Sequence, residues 1–167
     1  MFKKIALLAL LMIPAFGFAQ ESLKIGYFNF NEVLPTMPEY TQMTDTLQKT
    51  ATMFQEEMSL LNAELEKKYT DYVDQRETLA ESIRLRREQE IQDLSQRAGN
   101  FQQQAQQSQE MLYQKLYAEI QEKLQKVVKQ VGEENHFTYI MDANSMWFVS
   151  PRATDATPLV KQKLGLQ

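Results

Sequence analysis

Few residues of this chain could carry chemistry. It has 167 residues, with one His, His136, and no Cys. A lone imidazole in the polar stretch before FTYIM is a solvated turn residue rather than a base or a ligand. Without thiols there is no cysteine nucleophile, no zinc–thiolate site and no disulfide framework. Two-carboxylate catalysis needs acids held apart at a fixed distance in a concave pocket. Here most acids alternate with Lys, Arg and Gln along helix-forming sequence, the pattern of a solvated helix face. No glycine-rich phosphate loop occurs. The residues call for no catalytic group, no cofactor and no metal, and an enzyme is not expected.

Three groups remain that could bind something. Arg84, Arg86 and Arg87, with Arg76 and Arg97 nearby, could meet anionic lipid or lipopolysaccharide. Glu77, Glu81, Glu88, Glu90 and Asp93 share that segment and cancel its charge, so a solvated face is the plainer account. The run FQQQAQQSQ, from Phe101 to Gln109, is either low-complexity helix or a lightly packed, flexible stretch that can open around a partner. Met43, Met53 and Met58 are adaptable apolar side chains. Met58 keeps the phase of a helical stripe, whereas Met53 lies off it and is the better candidate for contact with a partner. Met53 and Phe101 are therefore the candidate contact residues.

The elements that must position these groups fall into three regions. Residues 24–30, KIGYFNF, form an expected buried strand. Asn31 is expected to cap a short turn, NEVL, which Pro35 and Pro38 end. From Glu39 to Glu134 there is no Pro, and good helix formers dominate. Leu47, Ala51, Phe54, Met58, Leu61 and Leu65 alternate in steps of four and three, as do Ile91, Leu94, Ala98, Phe101 and Ala105. That is coiled-coil spacing. Lys68, Gln75 and Ser108 interrupt it. Beyond Leu112 the step drifts to Leu116, Ile120, Leu124, Val127 and Val131, which suggests packing into a different core. The stripe loses phase between Leu79 and Ile91. A hairpin of two helices of about 40 residues, roughly 60 Å each, is expected, with its turn near 80–82 and Ser82 as the cap of the returning helix. The alternative is one continuous helix that dimerises along its length.

After the helices, residues 137–141 and 146–149 form an expected β-hairpin around Asp142–Ser145. Its strands are expected to pair with residues 24–30. Asp155 or Thr157 then caps a last helix, PLVKQKL, with Gly165 near its end. The fold class is α+β, mainly α. Residues 20–38 and 135–167 make a small β-containing body, and 39–134 make a helical-hairpin arm. So small a sheet cannot bury much alone, and oligomerisation through the body is expected.

Residues 1–19 are a separate segment. Lys3 and Lys4 precede an unbroken apolar run from Ile5 to Ile13, and Gly17 and Ala19 are small. These are the parts of a secretory signal peptide, with cleavage expected after Ala19. The run is too short for a bilayer, which needs about 20 residues. The location expected is the periplasm or the outside. Removing Lys3 and Lys4 takes the basic residues from 18 to 16 against 22 acidic ones, so the mature chain stands at −6. That charge argues against nucleic acid as a partner.

The order of signal, IGYFNFNEVL, charged Gln-rich helical middle, IMDAN, FVSP and DATPLVKQKL resembles the OmpH/Skp family of periplasmic chaperones. The match spans essentially the whole mature chain. Asp142 and Asn144 in IMDAN, and Asp155 and Thr157 in DATP, match recurrent turn and cap positions of the family. Asn29 stands where many members carry Asp. The resemblance implies a homotrimer whose small β-barrel-like body is shared by all three chains. Three hairpin arms enclose a cavity that holds unfolded outer-membrane proteins without ATP. The best-known members are strongly basic, which helps them capture acidic clients and lipopolysaccharide. The charge of −6 departs from that pattern. Ile25, Tyr27, Ile140, Trp147 and Val149, as alternating strand positions, are the residues expected to face the trimer core. A structural coiled-coil spacer of the cell envelope is the alternative, and it would want an uninterrupted seam.

Overall fold

A computed structural model describes residues 23–166. The expected signal peptide at 1–19 lies outside the described residues. β1 spans Ile25–Phe28, and a short helix, α1, spans Phe30–Val33. A 3-10 turn at Leu34–Thr36 leads to α2, Pro38–Gln75. α3 spans Glu81–Glu134, β2 Tyr139–Asp142, β3 Thr154–Asp155 and α4 Thr157–Lys163.

α1 is capped by Asn29, not by Asn31. Asn29 is extended, and its Oδ1 accepts a hydrogen bond from the Glu32 amide at 3.2 Å. Asn31 falls inside the helix and donates its amide to Asn144 Oδ1 at 3.2 Å. Pro38 opens α2 at a position where the missing N–H costs nothing.

α2 and α3 pack side by side, with residue numbers falling on one as they rise on the other. Glu39 pairs with Lys123. The Gln109 amide donates to the Leu47 carbonyl at 3.4 Å. The rings of Phe54 and Phe101 meet edge-to-face at 6.0 Å. Leu61 is buried against Leu94 and Ala98. Further on, Lys68 reaches Glu90 at 3.5 Å and the Tyr72 hydroxyl donates to Glu88. The turn between the helices lies at 76–80, ahead of the expected 80–82. The Thr78 and Leu79 amides both donate to the Gln75 carbonyl, at 2.9 and 3.2 Å. Ala80 takes the extended backbone that starts α3. Ser82 sits in the first turn of α3 and caps nothing. With no Gly or Pro in the segment, backbone hydrogen bonds set the turn, and these leave little trace in residue type.

The main core lies where α2 begins and α3 ends. Phe28, Val33, Met37, Met43, Ile120, Leu124, Val127, Val131 and Val160 form one buried cluster. The drift of the α3 stripe beyond Leu112 thus brings Ile120 to Val131 against β1, α1 and α4 as well as α2.

The sheet differs from the expected hairpin. Its order is β2-β1-β3, and β1 pairs parallel with both neighbours. Residues 146–149 form no strand. After β2, Asp142 Oδ1 accepts from the Asn144 amide at 3.1 Å, from the Asn144 side chain at 2.9 Å and from the Phe30 amide at 3.3 Å. That Asx turn leads into a 3-10 turn at Ala143–Ser145, and no antiparallel partner can follow directly. The third strand instead comes from Thr154–Asp155. Asp155 Oδ1 accepts from the Thr157 amide at 2.9 Å at the start of α4. Gly165, at φ 74°, ends α4, with the Leu166 amide donating to Lys161 and the Gly165 amide to Gln162.

Candidate interaction surfaces

The parallel register decides which strand residues share a face. Gly26 stands beside Ile140, and Tyr27 beside Met141. Side chains alternate along a strand, so Gly26, Phe28 and Ile140 point to one face and Ile25, Tyr27, Tyr139 and Met141 to the other. The first face is the core. A Cβ on Gly26 would stand 3.3 Å from Ile140 Cγ1 and 2.8 Å from the Phe137 ring, so the close packing there requires glycine.

The second face is open. Ile25, Tyr27, Met141, Phe148 and Val149 line a shallow groove on it. Trp147 is fully exposed and Phe148 is 78% exposed. A contiguous apolar surface of this kind marks an interaction site. Of the residues expected to share an assembly core, Ile25, Tyr27 and Val149 meet in this groove and Trp147 projects nearby. Ile140 lies on the opposite face. Tyr139, Met141 and Phe148 join the open face and escaped sequence reasoning, because the strand register depends on pairing between distant segments.

The polar residues beyond the strand ends form joints. The Asn29 amide donates to Thr157 Oγ1 at 3.0 Å, and Asn144 Nδ2 reaches Asn29 Oδ1 at 3.3 Å. These bonds tie β1 to the two segments that follow α3. Lys24 anchors the other end of β1. Its Nζ donates to the Asn135 carbonyl at 2.7 Å and lies 4.1 Å from the centre of the Phe137 ring.

On the helical pair, the sequence-predicted contact residues separate. Met53 is 67% exposed, on a flank it shares with Leu60. Phe101 is half-buried in the seam. Arg86 and Arg87 each lie 3.4 Å from Glu90, which also receives Lys68. These three cations share the one carboxylate, and Arg84 is half-buried. The Tyr72 hydroxyl titrates above its usual value, first because it donates to Glu88. The carboxyl of Glu39 titrates below its usual value, chiefly because Lys123 hydrogen-bonds it, with desolvation opposing. His136 is exposed and stands just beyond α3 at φ 55°. Among the described residues no group of three or more His, Asp or Glu could hold a metal ion, and no helix is long and apolar enough to cross a membrane.

A similar arrangement occurs in the crystal structure of an OmpH-like protein from Caulobacter crescentus CB15. The two share 15% identity with a TM-score of 0.75, over 84% of this chain and 82% of the other. At that identity the likeness is one of fold. No curated protein matches the chain significantly. The family model described as outer membrane protein (OmpH-like) matches residues 24–164, from the first strand to the last helix, and the chain belongs to that family.

Proposed function

We propose that this chain is an ATP-independent, non-enzymatic holdase of the periplasm. It assembles as a homotrimer through the open face of its sheet. The α2–α3 pair is then an arm that holds unfolded outer-membrane proteins before insertion. The family supports a chaperone role, and the Caulobacter neighbour is itself described as a candidate outer membrane chaperone.

The observation that carries this reading is the distribution of burial. The largest fully buried side chains, Met37, Val33, Val131 and Val160, all lie beside the sheet. Between the Leu47 and Tyr72 levels the pair buries only Leu61, Leu94 and Ala98. Its 38-residue α2 is about 57 Å long at ~1.5 Å per residue, and most of that length is surface. Such an arm offers many weak contacts, which together bind strongly while each exchanges quickly. Binding the unfolded chain lowers its free concentration and suppresses aggregation without chemistry. Lys68, which reaches across to Glu90, breaks the apolar seam near the turn, and that fits a holding arm better than a rigid spacer. Arg86 and Arg87 both lie beside Glu90, and lipid or lipopolysaccharide contact forms no part of this reading.

Diluting a urea-denatured outer-membrane barrel protein into the purified chain tests it. Light scattering should be suppressed at three chains per client and without nucleotide. Scattering as strong as in buffer alone, at every salt concentration, would refute the proposal.

A further inference from the structure

The two flanks of the helical pair differ in charge. Between residues 44 and 62 of α2 the charged side chains are Asp45, Lys49, Glu56 and Glu57, and between 92 and 109 of α3 they are Asp93 and Arg97. On a helix, residues seven apart share a face. Gln48, Gln55, Asn62 and Tyr69 form such a row on α2. Gln92, Gly99, Gln106 and Tyr113 form another on α3. Both rows border the same side of the seam. One groove on that side is lined by Ala51, Phe54, Ala105, Gln106, Gln109 and Tyr113, together with Glu110. A second, nearer the turn, is lined by Tyr69, Ile91, Gln92 and Ser95, together with Tyr72 and Glu88. None of the six charged residues of the middle stretch borders either groove. The two acids at the ends are already engaged, Glu110 by the Gln114 amide at 2.7 Å and Glu88 by the Tyr72 hydroxyl. The opposite side of the pair is charged, with Glu64, Lys67, Lys68, Asp71 and Arg87 around one groove.

We propose that uncharged, extended segments of an unfolded polypeptide dock along this charge-poor flank between Tyr69 and Tyr113. This rests on the holdase reading and names the surface that does the holding. An extended segment presents backbone N–H and C=O groups that must find partners when they leave water. A glutamine or asparagine amide both donates and accepts, so it can pair with either. Gln48, Gln55, Asn62 and Gln106 make no side-chain hydrogen bond among the described residues and are free to do so. Tyr69 and Tyr113 add ring faces at the two ends. The opposite flank is the poorer host, because a neutral segment lying on it would strip water from ions without replacing it. Capture on this side relies on no basic residue, which suits a chain whose expected mature form is acidic.

The full-length chain tests this by fluorescence anisotropy, with a labelled urea-denatured outer-membrane barrel protein as the probe. Gln55 and Gln102 are exposed on the charge-poor flank, and Glu or Lys at these positions keeps helix propensity close to that of Gln. The pair Gln55→Glu with Gln102→Glu, and the pair Gln55→Lys with Gln102→Lys, should each weaken binding by about tenfold, because either sign must be desolvated. Thr46→Glu with Gln104→Glu, on the other flank, and Met53→Gln should stay within about twofold. Weakening by Glu with strengthening by Lys would overturn the proposal in favour of charge capture. Loss of binding in Met53→Gln or in the Thr46 and Gln104 pair would place the client on the other flank. A change of free-protein mass in the Gln55 and Gln102 variants would make the flank an interface between copies. Sedimentation with phosphatidylglycerol vesicles that these variants abolish would make it a lipid surface. No binding by the unaltered chain would overturn the holdase reading itself. Binding that survives all the flank variants would overturn only this placement.

Discussion

His136 shows how an exposed residue can be under physical demand from its own backbone. α3 ends with the Phe137 amide donating to the Gly132 carbonyl at 2.9 Å and the His136 amide to the Glu133 carbonyl at 3.4 Å. That pair of bonds closes a helix only when the intervening residue is left-handed, and His136 has φ 55°. α4 ends in the same way with Gly165 at φ 74°. A left-handed backbone crowds the Cβ of any L-residue, whereas glycine has none. His136→Gly should therefore stabilise the fold by about 0.5–1 kcal/mol, net of the greater freedom of glycine in the unfolded chain. Urea denaturation reads this as a higher midpoint at unchanged slope. A lower midpoint would mean that the imidazole makes a contact in solution that outweighs the strain. The sequence placed His136 in a solvated turn and ruled out little else, since a side chain's type does not report its own φ.

At the level of the element, the helix pair and the pairing of the strands near 24–30 and 137–141 were legible, whereas the direction of that pairing and the third strand were not, for one physical reason. The stripe of Leu47, Phe54, Met58 and Leu61 against Leu94, Ala98 and Phe101 repeats within a few turns of each helix, so local spacing reveals it. β1 pairs with residues more than a hundred positions away, and nothing local in IGYF says whether its neighbours run parallel. The expected hairpin at 137–149 failed at Asp142, whose side chain closes an Asx turn instead. The helix pair also contains a pH-dependent joint that spacing cannot show. Glu39 in the first turn of α2 meets Lys123 of α3, and this hydrogen bond holds its carboxyl below the usual 4.5. The folded state then binds protons less readily than the unfolded state. The stability from this pair is present above the unfolded pKa and is lost as pH falls through the folded one. Thermal melts between about pH 5 and pH 3 should show a steeper loss for the unaltered chain than for Glu39→Gln. Parallel curves would show that the pair adds nothing to folding. The effect should be small and should shrink with salt, because both side chains remain more than one-third exposed.

For the whole molecule, the question is what covers the outer face of the sheet. A three-stranded sheet with one face on a helical core and aromatic residues on the other is half finished as a soluble body. Ile25, Tyr27, Met141, Phe148 and Val149 line that face, and the proposed trimer would bury them against their counterparts in other copies. The chain offers its own reporter, because Trp147 is its only tryptophan and is fully exposed in a single copy. In the trimer its emission should be blue-shifted relative to free tryptophan, and dilution into the dissociating range should move it to the red as the mass falls. Tyr27→Asp would place a charge in the covered groove, where an unpaired carboxylate is costly. It should shift the emission red at concentrations where the unaltered chain stays blue, and bring the light-scattering mass to that of one chain. The helical circular dichroism of α2 and α3 should survive, because Tyr27 lies on the face away from their shared core. A monomeric mass for the unaltered chain at micromolar concentration, with red emission throughout, would refute the trimer. A trimeric mass with red emission would instead place the assembly contact elsewhere and leave Trp147 in water.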